Sequence, residues 1–208
     1  MVFPKVAIMG KKPFIIHDPY FHEAKRLGYR ARSVFKLLEI QEKFGIIRPT
    51  DRVLDLASAP GSFLQAITKI VRPDIPVVGI DIQKIEPFGH GNVKLLQADV
   101  NDFETIHAFI ETLGITRFDV ITSDIAPATT GHTGVDQYRS VELNLAIVHI
   151  ADEFLKKNGT LILKVFVGED VNDLIGPIKE RYAKLKRFKP KACRDRSFEE
   201  YFICLGKK

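Results

Sequence analysis

From about Thr50 onward, short runs of apolar, often β-branched residues alternate with longer stretches that carry apolar positions at helical spacing. This alternation is typical of a parallel sheet with helices on both faces. It predicts seven strands, at Arg52–Ala57, Val77–Ile82, Val93–Ala98, Phe118–Asp124, Thr160–Val165, Lys184–Lys189 and Tyr201–Leu205, and four helices near Ser62–Val71, Phe103–Leu113, Tyr138–Lys156 and Val171–Tyr182. No helix separates the last two strands, so we expect them to form an antiparallel pair at or near one edge. The predicted fold class is α/β, with a Rossmann-like, mostly parallel sheet.

The pattern before this region predicts two short helices, over Tyr20–Leu27 and Ala31–Phe44. The apolar positions of the second helix share one face and Lys36 lies elsewhere, so Lys36 is expected to project outward. We find no linker, repeat or low-complexity segment. Residues 1–48 are therefore interpreted as a basic helical extension of a single domain whose sheet lies within residues 49–208.

Composition narrows the class of protein. A chain of 208 residues with 45% hydrophobic content is long enough for one well-packed core. The two cysteines, Cys193 and Cys204, predict no disulfide framework, and neither they nor the six histidines have the spacing of metal ligands, so we expect no metal. No apolar run could span a bilayer and no signal peptide is evident, which favours a soluble, cytoplasmic protein. No amphipathic stripe demands a partner, so we expect a monomer.

The charge of the chain is segregated. Residues 1–48 contain 10 Lys/Arg and 4 Asp/Glu, residues 179–208 contain 11 and 4, and the residues between them contain 10 and 18. Basic ends around an acidic centre suit a polyanion that is held at its phosphates while another ligand occupies the middle. Basic ends can also serve solubility alone, but two clusters of this size favour a nucleic-acid partner.

The most informative stretch runs from Arg52 to Phe63, where a buried strand passes through Asp55 into a turn of small residues that opens a helix. Asp81 and Asp99 stand at the ends of the next two predicted strands. Carboxylates there can accept hydrogen bonds from ribose hydroxyls and an adenine amino group, and they disfavour a phosphate. The turn lacks the G-x-G-x-x-G pattern of NAD and FAD sites. The ligand is therefore predicted to be a cationic nucleoside rather than a nucleotide.

Asp124 and Lys164 end two strands that should be neighbours, so their side chains are expected at the same edge of the sheet. Such a pair can be a structural ion pair. The loop after Asp124 contains Pro127, Gly131 and Gly134, however, and the site opens toward the basic segments. These features favour a functional pair.

Several blocks, in this order along the chain, give a resemblance to a known family. They are Tyr29-Arg-Ala-Arg-Ser-Val-Phe-Lys-Leu37, Asp55-Leu-Ala-Ser-Ala-Pro-Gly61, Ser123-Asp-Ile-Ala-Pro127, Leu163-Lys-Val-Phe-Val-Gly-Glu169 and Ser197-Phe-Glu-Glu-Tyr201. From about Tyr29 to Gly206 the sequence resembles the FtsJ/RrmJ family of RNA 2′-O-ribose methyltransferases. The resemblance implies a seven-stranded methyltransferase sheet, S-adenosylmethionine as cofactor, and RNA as substrate, with a uridine of large-subunit ribosomal RNA favoured.

The resemblance also implies roles for individual residues. It places the family's catalytic tetrad at Lys36, Asp124, Lys164 and Glu199, and its cofactor contacts at Gly61, Phe63, Asp81, Asp99 and Asp124. Glu199 is preferred to Glu200 because alignment on Tyr201 favours it and neighbouring strand residues face opposite sides. Ser62 and Phe63 depart from the family's usual glycine and tryptophan. Lys164 is expected to act as a general base or as a charged positioner of the ribose oxygen.

The basic terminal segments, including Lys184–Arg196, are expected to contact phosphates, and Tyr20, Phe21 and Tyr29 are candidates for stacking on bases. Three alternatives remain open: methylation of transfer RNA, N-methylation of a base, and a non-catalytic RNA-binding factor in ribosome assembly. The second is disfavoured because Asp124-Ile-Ala-Pro127 lacks the aromatic residue of amino-methylating loops.

Overall fold

The computed structural model describes residues 18–89, 91–194 and 197–208. Residues 1–17 of the predicted basic extension, and Arg196 of the basic C-terminal segment, lie outside the described residues. In the described part of the chain the helices are α1 (Pro19–Arg26), α2 (Val34–Phe44), α3 (Ser62–Ile70), α4 (Phe103–Thr112), α5 (Thr133–Phe154) and α6 (Val171–Arg181). The strands are β1 (Val53–Leu56), β2 (Val77–Asp81), β3 (Val93–Gln97), β4 (Phe118–Ser123), β5 (Leu155–Phe166), β6 (Tyr182–Phe188) and β7 (Glu199–Lys207).

The strands form one sheet in the order β3-β2-β1-β4-β5-β7-β6. All neighbouring pairs are parallel except those of β7, which runs antiparallel to both β5 and β6. The predicted α/β class, the seven strands and the antiparallel pair at one edge are therefore confirmed. The strand order reverses between β1 and β4, and this is where open α/β sheets bind their ligands.

Apolar side chains cover both faces of the sheet. On one face the core includes Ile106 of α4, Ile147 of α5 and Leu174 of α6. On the other face it includes Leu37 of α2 and Ile67 of α3. Helix α2 thus packs on the same sheet as α3, which fixes its position relative to the strand ends.

The boundary between α5 and β5 differs from the sequence prediction. The helix was expected at Tyr138–Lys156, but it begins at Thr133 and ends at Phe154. Leu155 has extended backbone and pairs with Phe118 of β4, so the polar run that follows it joins the strand. Pairing with a neighbouring strand therefore outweighs the helical pattern of this short segment.

Helix α2 is shorter than predicted, since it begins at Val34 rather than Ala31. It ends at Gly45, whose φ of 58° is left-handed and whose N–H donates to the Gln41 carbonyl. A glycine takes this conformation without the steric cost of a Cβ atom. None of the helices in the described ranges is long and apolar enough to cross a membrane.

Candidate active site

A cleft of about 310 Å³ lies at the carboxyl ends of β1, β2, β3 and β4. Its walls carry the carboxylates of Asp81, Asp99 and Asp124 together with apolar side chains such as Ile82 and Val100. Among the described residues that line it there is no lysine or arginine. Such a lining attracts a cationic group and repels a phosphate, which is the chemistry predicted from the sequence.

The turn from β1 into α3 forms one wall of the cleft. Asp81 holds this turn, because its carboxylate accepts the Ala59 N–H at 2.8 Å and the Gln83 N–H at 2.7 Å. The Ser58 hydroxyl lies 3.0 Å from the Asp55 carbonyl oxygen and 3.1 Å from that of Ile80. The small residues of this turn therefore allow close contact with two strands, while Asp81 links the turn to the end of β2.

Gly61 is the point where the turn becomes α3, and its φ is 103°. A Cβ atom here would lie 2.7 Å from the Phe88 ring and 2.9 Å from the Arg30 guanidinium. Both the backbone conformation and the close approach require glycine. Phe63, two residues further, is 2% exposed and packs in the core. Neither residue lines the 310 Å³ cleft. Phe63 instead lines a small adjoining cavity with Ala57, Ala59 and Asp124, three residues that also line the cleft.

Arg30 holds the turn from outside the cleft. Its guanidinium donates to the carbonyls of Pro60 (3.0 Å), Glu86 (2.8 Å) and Pro87 (2.9 Å), and it stacks 4.1 Å from the centre of the Phe88 ring. Guanidinium has the planar donor geometry for several such bonds at once. This member of the basic N-terminal segment therefore has an internal role that the sequence analysis missed.

Asp55 occupies a different place from the other acids. It lies within β1 and is 1% exposed, and Thr122 donates a 2.6 Å hydrogen bond to one of its oxygens. Its other carboxylate oxygen has no hydrogen-bond partner among the described residues. Burial is the main cause that raises the pKa of Asp55 well above its usual value, and the nearby charges of Asp124 and Asp81 add to it. The buried position of Asp55 within β1 thus favours its protonated form.

Asp99 lies at the other end of the cleft, just after β3. One of its carboxylate oxygens accepts hydrogen bonds from the backbone and the side chain of Asn101, both at 2.9 Å. These bonds fix the direction of the carboxylate at the cleft wall. Asp99 follows β3 and Asp124 follows β4, and two strands lie between these in the sheet. The cleft between the two carboxylates therefore has room for an extended ligand.

Lys164 and Asp124 are brought together beside the cleft. The Lys164 Nζ atom lies 3.2 Å from an Asp124 carboxylate oxygen and donates a 2.6 Å hydrogen bond to the Asp124 carbonyl. Their side chains are only 8% and 17% exposed. The Lys164 carbonyl is held in turn by Asn144 of α5, at 2.9 Å. The expected convergence of these two residues is therefore present.

A second ion pair adjoins the first. Lys36 Nζ lies 2.8 Å from Glu199 Oε1, and both side chains are about nine-tenths buried. Lys36 was expected from the sequence to project outward from its helix, and this prediction was wrong. Lys36 is 8% exposed and lies on the buried side of α2, because an ion pair compensates the cost of its burial.

The register of β5 and β7 sets which side chains share this site. Lys164 pairs with Tyr201, and Phe166 pairs with Glu199. Side chains two residues apart on a strand face the same side, so all four lie together. Glu200 points to the other face, where it accepts a 2.8 Å bond from Arg187.

Tyr201 completes the cluster, since its hydroxyl donates to the Asp124 carboxylate. Burial would raise the pKa of Asp124, but the charges of Lys164 and Lys36 and this hydrogen bond outweigh it and lower that pKa. Burial would lower the pKa of Lys36, but Asp124 and Glu199 outweigh it and raise it. The opposite charges of Lys36 and Asp124 thus favour the ionised form of each other. The role of Tyr201 was missed, although its position within the Ser197–Tyr201 block could have indicated it.

The aromatic candidates for base stacking are differently placed. Tyr20 packs against Phe35 at 5.4 Å between ring centres. Tyr29 lies 6.3 Å from the same ring and is covered by Lys69 at 4.1 Å. Phe21 is 56% exposed. Within the described ranges, no group of three or more His, Cys, Asp or Glu residues is arranged to hold a metal ion.

Comparisons with known proteins agree with this geometry. Residues 29–207 match the model of a family described as FtsJ-like methyltransferase. The chain is 42% identical over 190 residues to ribosomal RNA large subunit methyltransferase E of Nitratidesulfovibrio vulgaris strain DP4, covering 91% of this chain and 92% of the relative. It is 37% identical over 188 residues to the protein of the same name from Methanocaldococcus jannaschii, with 89% and 77% covered. A crystal structure of a ribosomal RNA methyltransferase from Plasmodium falciparum has a TM-score of 0.74 and 27% identity, covering 86% of this chain and 98% of that one.

Proposed function

Because the chain belongs to the FtsJ-like methyltransferase family, we propose that it transfers a methyl group from S-adenosylmethionine to the 2′-hydroxyl of a ribose in RNA. One observation carries this proposal: the buried pair of Lys164 and Asp124 lies between an acid-lined cleft and a second buried pair, Lys36 and Glu199. A methyl donor bound in the cleft and a ribose acceptor bound beside Lys36 and Glu199 would meet at Lys164.

The cleft has the lining that the cofactor needs. Bound S-adenosylmethionine supplies a methyl group on a positively charged sulfur, with an adenosine and an amino acid on either side. Asp81 and Asp99 would accept hydrogen bonds from the ribose and the adenine, and Asp124 would pair with the ammonium group. Gly61 and Phe63 would support the turn that faces the amino acid end.

The protein's contribution to chemistry is mainly placement. The acceptor oxygen must lie in line with the transferred methyl group, and holding that geometry lowers the barrier. As the new carbon–oxygen bond forms, the carbon–sulfur bond of the donor would break and the hydroxyl proton must leave. The Lys164 amine lies beside the cleft wall at Asp124. It would take the proton as a neutral amine or hold the oxygen as a cation. Lys36 and Glu199 would orient the ribose from the far side.

The RNA partner is supported by the basic surface and by the names of the relatives. Strand β6 exposes Lys184, Lys186 and Arg187 along the edge of the sheet. Lys43 lies 4.3 Å from the centre of the Phe188 ring, so this edge combines cations with aromatic rings, as RNA-binding surfaces do. The relatives are named for large-subunit ribosomal RNA, which supports that RNA as the substrate. The uridine acceptor, the cytoplasmic location and the monomeric state stay predictions from the sequence.

Incubation of the protein with methyl-labelled S-adenosylmethionine tests the proposal. The substrates are large-subunit ribosomal RNA, transfer RNA and, once the nucleotide has been mapped, an RNA carrying 2′-deoxyribose at that position. We expect label on ribosomal RNA at a ribose, and none on the 2′-deoxy RNA. Label on both the ribosomal RNA and the 2′-deoxy RNA would favour base methylation. Label on transfer RNA alone would identify transfer RNA as the substrate. Label on none of the RNAs would favour a non-catalytic binding factor.

A further inference from the structure

A second cavity, of about 450 Å³, is lined by Lys36 and Glu199, whereas the acid-lined cleft meets the same charged cluster at Asp124. It is within the size range of pockets that hold small organic molecules. Its lining includes Lys36, Phe166, Arg194, Ser197, Phe198 and Glu199. The two cavities share the charged cluster as a wall but have different linings, since the second one combines aromatic and basic groups. They are therefore suited to different ligands.

Resting on the proposed function, we propose that this second cavity is the pocket for the base of the acceptor nucleotide, which leaves the RNA stack and packs against Phe198. Sequence-specific RNA recognition commonly targets unpaired nucleotides, whose bases splay out of the stack and pack on aromatic side chains. The extruded base then needs an apolar surface to replace its former neighbours.

Phe198 and Phe166 supply that surface. Their rings form an edge-to-face pair, with 5.1 Å between centres and an interplanar angle of 86°. In such a pair at least one ring presents a face that the other does not cover. Phe166 is 8% exposed, and its backbone N–H donates to Ser140 of α5, which anchors it. Phe198 is half-buried at the cavity. A fixed ring thus supports a more accessible one.

The strand register places this surface at the right distance from the chemistry. Phe166 follows Lys164 by two residues on β5 and pairs with Glu199. At about 3.3 Å per residue, the two positions are about 7 Å apart along the strand and face the same side. A single nucleoside spans such a distance. A base on Phe198 would therefore direct its ribose toward Lys36 and Lys164.

The rim of the cavity carries positively charged side chains, which suit a phosphate. Arg194 is exposed there. Arg32 is fixed beside it by an ion pair with Asp18 and a hydrogen bond to the Ala192 carbonyl. The Ser197 hydroxyl, which accepts the Glu199 N–H at 3.1 Å, can donate its own proton to a base edge. Cations at the rim and a hydroxyl inside are what a nucleotide requires, whereas an apolar ligand would use neither.

A double-mutant cycle tests the pocket. The enzyme variants are wild type and Phe198→Ala, and the RNA substrates are one with the mapped acceptor nucleotide intact and one that lacks its base but keeps its ribose and 2′-hydroxyl. Stacking of a base is worth about 5-fold to 160-fold in affinity. We expect Phe198→Ala to lower kcat/KM by about this factor on intact RNA, and to cause little further loss on abasic RNA.

Two further variants separate stacking from general damage. Phe198→Leu keeps apolar volume but has no ring face, so most of the loss should remain. Phe109→Ala removes a half-buried phenylalanine from α4, on the opposite face of the sheet, and should lower kcat/KM on the two RNAs by the same factor, if at all. S-adenosylmethionine affinity should be unchanged in both Phe198 variants.

Equal losses for Phe198→Ala on intact and abasic RNA, or no loss on intact RNA, would overturn the base pocket while leaving the proposed function intact. Ribose labelling by the wild-type protein is measured in the same assay. Its absence would refute the proposed function and, with it, the pocket.

Discussion

The hydroxyl of Tyr201, on β7, donates a hydrogen bond to the carboxylate of Asp124, at the end of β4. Burial, together with the charge of Asp124, raises the pKa of Tyr201 well above its usual value. The phenol therefore remains a donor throughout the range in which the enzyme could work. The bond ties the antiparallel part of the sheet to the residue that faces both the cleft and Lys164.

Replacing Tyr201 by Phe should move the acid limb of the pH profile to higher pH. The hydrogen bond helps to lower the pKa of Asp124, so its loss raises that pKa. Asp124 is then protonated at a pH where the wild-type carboxylate is still charged. The check is kcat/KM as a function of pH for both proteins.

Tyr182→Phe is the control for this change, because the Tyr182 hydroxyl is buried without a hydrogen-bond partner among the described residues. Its pH profile should match that of the wild type. An unshifted acid limb in Tyr201→Phe would mean that Asp124 does not control this part of the profile.

Replacing Lys164 by Ala should abolish turnover while leaving S-adenosylmethionine affinity within a few-fold, since the amine lies beyond the carboxylate that lines the cleft. Single-turnover methylation and calorimetric titration measure the two quantities. Lys157→Ala, an exposed lysine at the other end of β5, should behave as wild type. Retained activity in Lys164→Ala would remove this residue from the mechanism.

Glu199 and Glu200 form a natural matched pair, because they are adjacent but face opposite sides of β7. Glu199→Gln leaves Lys36 without its closest anion in a buried site, and removing one partner of a buried pair is costly. We expect kcat to fall by about 10-fold or more, consistent with the loss of a positioned charge. Glu200→Gln removes a partly exposed contact with Arg187 and should change kcat less than 2-fold to 3-fold. Equal effects would contradict the assignment to Glu199.

Asp55 should make the folded protein less stable as pH rises. Its pKa is raised in the folded state, so above the ordinary aspartate value of about 3.9 the folded protein binds more protons than the unfolded chain. Stability therefore declines with pH from about 4 up to the folded-state pKa. Asp55→Asn keeps an oxygen for Thr122 and does not ionise, so its free energy of unfolding should exceed that of wild type increasingly as pH rises. Urea unfolding at pH 5 and pH 8 gives this difference in the free energy of unfolding. A difference that is the same at both pH values would contradict a raised pKa of Asp55.

Replacing Arg30 by Lys should weaken cofactor binding more than it slows the chemical step. A lysine cannot make the three carbonyl contacts of the guanidinium, nor stack as well on Phe88. The turn at Pro60 and the segment near Glu86 would then lose their link. We expect the Kd for S-adenosylmethionine to rise several-fold, with kcat at saturating cofactor nearly unchanged. The exposed Arg72, whose side chain pairs among the described residues with nearby Asp74, gives the matched control as Arg72→Lys.

The sequence predicted the sheet well because its strands are short apolar runs bounded by turn residues, and the motif order fixed which strand ends carry Asp81, Asp99 and Asp124. It failed where a tertiary contact reversed a local pattern. Lys36 falls outside the apolar stripe of its helix, yet it is buried because it forms an ion pair with Glu199, which is remote in the sequence. Asp55 looks like Asp81 in the sequence, and only the pairing of β1 with β4 places Thr122 over it. Arg30 likewise has partners that are all remote in sequence.

Strand β7 follows β6 along the chain but lies between β5 and β6 in the sheet. It contributes Glu199 and Tyr201, and it pairs with β5 along one edge and with β6 along the other. The charged cluster around Asp124 therefore cannot assemble before β7 has been synthesised and has paired with β5. A chain cut before Glu199 would keep every residue that lines the acid-lined cleft but would lose two members of that cluster, so the two halves of the site depend on widely separated parts of the sequence.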